Sequence, residues 1–357
     1  MSGPIGVALL GCGSIAGPVH LRLLRRRRGV RVVGVADPAP EARAVAERAG
    51  VPAVADPLEL LEDGAVGAAI VCAPTHAHAE LGLAAVERRK HLYLEKPLAT
   101  SVEDGSHLVD AAAQAGVVAA VGFNHRFHPL HRRARALLES GAIGQVRAIQ
   151  TAFCQPVEAR QLAPWRRSRA AGGGVLLDLA SHQVDLVRWL LSDEIVSARA
   201  ALESEASEDD TARLELQTAR GVAVAGLFSY RAARCDVLQI VGTAGVLELD
   251  RYAPALRLSL TREDAGDVRR RRDPPAWQPR LWQVRRRLRP SYEPSYERAL
   301  AAFVDALHGR PGSLPSLTDG LRSLEVVVAA EDAARRRPAN YGAGIASRGV
   351  GSSAGFT

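Results

Sequence analysis

The chain is poor in lysine, in aromatic residues, in cysteine and in long apolar runs. Of its 46 basic residues only Lys90 and Lys96 are lysine. Arginine supplies a permanent, delocalised cation, whereas a lysine ammonium can be tuned by burial and can enter proton transfer. Lys96, in Glu95-Lys96-Pro97 at the end of an apolar run, is therefore the first candidate for chemistry. Aromatic residues make up 4% of the chain, and the arginine clusters Arg25 to Arg28, Arg269 to Arg272 and Arg285 to Arg287 match no nucleic-acid-binding module. The net charge of +7 is thus read as solvated surface, with attraction to a phosphate-bearing substrate as the other reading, and no nucleic-acid partner is expected. Cys12, Cys72, Cys154 and Cys235 show no CxxC or zinc-ribbon spacing and read as reduced thiols of a cytoplasmic protein. No stretch approaches a membrane span, so neither export nor a membrane partner is expected.

What the chain does have is length and apolar content: 357 residues, 47% hydrophobic, enough for about two domains. Ile5 to Leu10 is a short apolar run, followed by Gly11-Cys12-Gly13-Ser14-Ile15-Ala16 and a helical pattern through Leu21 and Leu24. Gly11 permits a tight turn, Gly13 lets backbone approach a pyrophosphate, and small Ala16 lets the helix pack near the strand. A second run, Val30 to Ala36, ends in Asp37, placed to accept hydrogen bonds from an adenosine ribose. A carboxylate there repels the extra phosphate of NADP, which favours NAD. Runs at 68–72, 91–94 and 117–121 alternate with helical stretches at 41–49, 77–89 and 102–115, the pattern of parallel βαβ units. Pro74-Thr75 with His78, and Glu95-Lys96-Pro97, fall at strand ends and should meet in one crevice.

A composition shift near residue 124 marks a boundary, after which strand patterns dominate to about residue 260. Val222 to Phe228 is apolar or small on both alternating faces, which points to a sheet covered on both sides and to a homo-oligomer. The strongest signal here is Gly172-Gly173-Gly174 leading to Asp178 and His182. Four apart on a helix, these two share a face, and a carboxylate can fix an imidazole's tautomer and make it a general base. Asp185, one turn on, is either a partner for His182 or a solvent-facing acid. His76 with His78, and His125, His128 and His131, lack the carboxylate or thiol that would complete a metal site, so no metal is expected.

Taken in order, these motifs resemble the Gfo/Idh/MocA oxidoreductase family. The likeness spans about residues 5 to 335 and takes in Gly122-Phe123-Asn124 with Arg126-Phe127, the Gly242-Thr243-Ala244-Gly245 turn and two closing helical segments. It implies an α/β protein: an N-terminal Rossmann domain (1–123) and a C-terminal α/β domain (124–337) with a large, mainly antiparallel open sheet and closing helices at about 293–335. It further implies a homodimer or homotetramer with the active site between the domains. Lys96, Asp178 and His182 would be catalytic, with His182 as acid/base. Gly11, Gly13, Ser14, Ile15, Asp37, Pro74, Thr75, His78, Glu95, Lys96 and Trp165 would line the cofactor, and Asn124 and Arg126 would join the catalytic residues around the substrate. The implied activity is hydride transfer between NAD, with NADP second, and a secondary alcohol of a sugar, inositol or cyclitol, nucleotide sugars included. An NAD-using glycosidase with transient redox and a non-catalytic dinucleotide or sugar sensor are the alternatives. The arginine-rich stretch 261–290, with Trp277 and Trp282, departs from the family pattern, and the Gly/Ala/Ser-rich residues 338–357 read as a disordered tail.

Overall fold

A computed structural model describes residues 3–252, 256–261, 268–272, 293–310 and 312–336. The tail expected beyond 338, and Trp277 and Trp282, lie outside the described residues.

Six strands form a wholly parallel sheet: β1 (Ile5–Leu10), β2 (Val30–Ala36), β3 (Ala53–Val54), β4 (Ala68–Val71), β5 (His91–Leu94) and β6 (Ala119–Val121), in the order β3-β2-β1-β4-β5-β6. Helices α1 (Arg22–Leu24), α2 (Pro40–Arg48), α3 (Pro57–Glu62), α4 (His78–Glu87) and α5 (Val102–Ala115) connect them. Central β1 carries no polar side chain and is buried from Val7 to Leu10, as a strand covered on both faces must be. Local chemistry sets the helix ends. Ser101 accepts from the Asp104 amide to cap α5, and Gly116 closes it in the left-handed region at φ 64°. The short β3 and α3 give too little periodicity to be read from sequence; α3 starts where Asp56 accepts from Leu58 N ahead of Pro57.

The helix after the glycine loop is not α-helical throughout. Ala16–Leu21 forms a π-helical stretch before α1, with His20 N reaching back to Ile15 O. Pro18 within it has no amide to donate and crowds the preceding turn, which accounts for the wider winding.

The second sheet has eight strands: β7 (Val146–Cys154), β8 (Ile195–Glu203), β9 (Thr211–Thr218), β10 (Ala223–Ser229), β11 (Cys235–Gly242), β12 (Gly245–Asp250), β13 (Arg257–Thr261) and β14 (Val268–Arg272). Their order is β14-β13-β12-β11-β7-β10-β9-β8, antiparallel except where β10 runs parallel to β7. Part of the arginine-rich stretch is thus strand. α6 (Pro129–Glu139), α7 (Ser181–Leu191) and α9 (Leu317–Arg336), with α8 (Pro294–Leu307) between the last two strands and α9, complete the fold.

One face of this sheet buries Val224, Phe228, Leu214 and Leu238 against α7 residues such as Val184 and Val187. On the other face, Ala223 and Ala225 are exposed and Leu227 and Val237 are more than a third exposed among the described residues, the face that the oligomer expectation assigns to another subunit. The closing helices bind the two sheets together. Leu300, Phe303 and Val304 of α8 share a core with Val7, Leu9 and Leu24, and the Val121 amide of β6 donates to Pro315 O ahead of α9.

Candidate active site

The strand order reverses between β1 and β4, and the loops at the carboxyl ends of the parallel strands open beside that point, where such sheets bind ligands. Gly11 adopts φ 90°, and a Cβ there would fall 2.7 Å from Ala73 N, so the turn requires glycine. A Cβ on Gly13 would meet nothing within 4 Å, and Ser14 is exposed beside it with Ile15 half-buried, so the rim of the loop is open to a large anion. Asp37 follows β2 and ties down the same loop, its Oδ2 accepting from Cys12 N at 2.7 Å and its Oδ1 from Ala39 N at 2.9 Å. Arg43 folds back onto this corner and donates to the Asp37 and Pro38 carbonyls, each at 2.8 Å. The rim, glycine turn and acid fit a dinucleotide.

Lys96 crosses from the first half to the second. Its Nζ donates to the Asp178 carbonyl at 2.6 Å and to Asp178 Oδ1 at 2.8 Å. Glu95, its neighbour, is taken up by buried His20, whose Nε2 lies 2.7 Å from Glu95 Oε1. Asp178 sits in a π-helical stretch, Leu176–Ala180, that runs into α7 and carries His182 one turn further. Such stretches widen a helix and recur at functional sites.

Asp178 has a further partner that sequence reading missed. Tyr230, just past β10, donates its hydroxyl to Oδ2 at 2.8 Å, and Arg166 Nε lies 3.7 Å from the same oxygen. Burial alone would raise the Asp178 carboxyl, but Arg166 and Lys96, with the hydrogen bonds from Lys96 and Tyr230, outweigh it and hold it far below the usual carboxylate range. His182 is shifted by burial first, then by the Lys96 and Arg251 cations, to well below the ordinary imidazole value. The cleft therefore presents an ammonium, a firmly ionised carboxylate and a neutral imidazole.

Several side chains read as site contacts are engaged elsewhere. The expected Asp178–His182 hydrogen bond is not formed, because Asp178 is occupied by Lys96 and Tyr230. Asp185 is neither solvent-facing nor bonded to His182; fully buried, it pairs with Arg126, through Nε at 2.9 Å and Nη2 at 2.5 Å. Arg126 also meets Asp319 at 3.0 Å, so its fork is filled by acids of the chain rather than open to a substrate. Asn124 donates to Ser295 Oγ at 2.8 Å at the start of α8. His78 is buried, its ring nitrogens 2.6 Å from Pro97 O and 2.9 Å from Ala73 O, bracing the loops after β4 and β5. Thr75, also buried, packs against Gly172, where φ is 92° and a Cβ would fall 2.4 Å from Thr75 Cβ. Pro74 and Trp165 are half-buried, and the Arg166 guanidinium lies 5.2 Å from the Trp165 ring centroid. His125, His128 and His131, discounted as a ligand set, are all buried near His182, and no metal-ligating group of three is found among the described residues.

Parallel strands with an open glycine loop at the switch point are the architecture of dinucleotide-binding oxidoreductases. The family description "Oxidoreductase family, NAD-binding Rossmann fold" matches residues 5–123, and "GFO/IDH/MocA C-terminal domain" matches residues 131–248. Inositol 2-dehydrogenase 2 of Saccharopolyspora erythraea is 31% identical over 338 residues, 91% of each chain. 1,5-Anhydro-D-fructose reductase of Ensifer adhaerens is 30% identical over 341 residues, 91% of this chain and 95% of the relative. Among solved structures, GenD2 from gentamicin A biosynthesis in complex with NAD superposes with a TM-score of 0.78 at 26% identity, covering 94% of this chain and 95% of that one. The chain belongs to the Gfo/Idh/MocA family of NAD-binding oxidoreductases. Among the described residues no helix is long and apolar enough to cross a membrane.

Proposed function

We propose that the protein is an NAD-dependent dehydrogenase acting on a secondary alcohol of a sugar, inositol or cyclitol, or on the corresponding ketone in reverse. The observation that carries this reading is the contact of Lys96 with Asp178 across the cleft, at 2.6 Å and 2.8 Å, with His182 one turn along the same helix. The polyol and sugar enzymes among the relatives, inositol 2-dehydrogenase and 1,5-anhydro-D-fructose reductase, support it.

When bound, the dinucleotide supplies hydride acceptance at its nicotinamide ring. Lys96 donates to the substrate hydroxyl oxygen and stabilises the charge that grows there as the proton leaves. Asp178, kept ionised by its cationic neighbours, holds the ammonium in place and orients the hydroxyl. His182, kept neutral by burial and the Lys96 and Arg251 cations, has a ring nitrogen free to receive the proton. Gly11, Gly13, Ser14 and Ile15 would hold the pyrophosphate, and Pro74, Thr75, Glu95 and Trp165 would line the nicotinamide half. Asp37 would favour NAD, because its carboxylate at the end of β2 would repel an added 2′-phosphate.

A screen of NAD reduction over inositols, aminocyclitols, free sugars and nucleotide sugars, with NADP for comparison, tests the reading. NADH formation with at least one polyol or sugar is expected. NAD binding without turnover anywhere on the panel, in either direction, would overturn it in favour of a sensor.

A further inference from the structure

We propose that His125 is a positioning residue for His182, its ring stacked in parallel on the His182 ring and fixing the plane in which that imidazole works. The inference rests on the reading of His182 as the acid/base. A catalytic imidazole is ordinarily aimed by a hydrogen bond at its second nitrogen, which also selects the tautomer. His182 lacks one: its Nδ1 is buried with no hydrogen-bond partner among the described residues. The two carboxylates that helical spacing offers are engaged, Asp178 with Lys96 and Tyr230, Asp185 with Arg126.

Packing is what remains to hold the ring. His125 lies face to face with it, centroids 4.1 Å apart and planes 12° from parallel, and Phe153 meets both rings, 5.8 Å from His125 and 6.1 Å from His182. Burial, with Lys96 and Arg251, keeps His182 uncharged, and burial, with His182 itself, does the same for His125. The contact is therefore between neutral rings, without the repulsion of two imidazolium ions.

His125 is itself well anchored. It lies in the short turn Asn124–Phe127, whose other polar members are tied on both sides: Asn124 to Ser295 of α8 and Arg126 to Asp185 of α7. The His131 ring adds a contact from α6, with Nδ1 2.9 Å from the His125 carbonyl. Asn124 and Arg126, which the family resemblance implies as substrate contacts, become the fixings of the turn that presents His125 to the base.

The test compares His125→Phe, which keeps a flat ring, with His125→Leu, which keeps apolar bulk without one, in the full chain loaded with NAD. Proteins labelled with carbon-13 at histidine Cε1 report the His182 ring by NMR without needing a substrate, and His182→Ala assigns its signal. The ring-current displacement of that signal should persist in His125→Phe and disappear in His125→Leu. With myo-inositol, levoglucosan and 1,5-anhydro-D-fructose as kinetic probes, His125→Leu should lower kcat about 10- to 100-fold with NAD affinity unchanged, and His125→Phe should restore most of it. An identical His182 signal in both variants, or a Phe variant no better than Leu, would overturn the positioning role. Full turnover in His182→Ala would instead remove the acid/base reading while leaving the NMR contact intact, so the two failures are separable.

Discussion

The Tyr230 hydroxyl donates to Oδ2 of Asp178 at 2.8 Å, while the other oxygen of the same carboxylate receives Lys96 at 2.8 Å. One buried carboxylate thus joins the loop after β5, the π-helical stretch that runs into α7, and the end of β10.

Lys96→Ala should keep NAD affinity and lose turnover, by about 100- to 1,000-fold in kcat, the usual effect of removing one preorganised donor at a developing oxyanion. Calorimetric titration with NAD and steady-state assay of the same protein check the two halves of this expectation. Normal turnover would reject the assignment.

Tyr230→Phe removes a hydrogen bond to a buried charge and leaves Oδ2 facing only Arg166 at 3.7 Å. A loss of about 2 kcal/mol in unfolding free energy is expected, with a smaller fall in kcat than for Lys96→Ala. Urea denaturation measures the first.

At the adenosine end, Asp37→Ser should move cofactor preference toward NADP by at least about tenfold, since a like charge is removed. Arg43 strengthens the effect, because it already lies on the Asp37 and Pro38 carbonyls at 2.8 Å and can turn to meet a 2′-phosphate. The ratio of kcat/KM for the two cofactors is the readout, and an unchanged ratio would show that Asp37 does not select.

The histidines set the acid limit of stability. Burial, followed by neighbouring positive groups, pushes His128 and His131 down to about 3, and His125 and His182 also lie well below the ordinary value. An unfolded chain protonates these rings below about pH 6.5 while the native chain does not, so stability is full above that pH and falls as pH falls. His128 and His131 each cost about 1 kcal/mol between about pH 7.5 and 5.5, and His125 and His182 act in the same direction. Thermal melts across that window should fall steeply. His128→Asn, which can still cap α6 in place of the present contact from Leu130 N, should flatten the slope.

The sequence made the glycine loop and the Asp178–His182 spacing legible for a physical reason, although the bond between those two is not formed. Gly11, Gly13 and Asp37 act through backbone conformation and chain distance, and Asp178 and His182 through helical period, all of which are local. Lys96 stands out by the scarcity of lysine and by its place at the end of an apolar run. Tyr230 left no comparable signal, because its bond to Asp178 comes from where β10 lies in the sheet and not from any spacing along the chain. Asn124 and Arg126 show the converse. A polar residue after a strand reads the same whether it faces a ligand or another helix, and only distant Ser295 and Asp185 decide the matter. The thiols follow the same logic: Cys154 and Cys235, far apart in sequence, are register partners on β7 and β11, both free.

Gly172 gives the two halves of the molecule their closest tolerance. With no room for a methyl group beside Thr75, a single added carbon at that position would act as a wedge, prising the glycine triplet away from the β4 loop. The reach from Lys96 to Asp178 would lengthen with it, so the span of that contact is gauged by an atom the chain does not have.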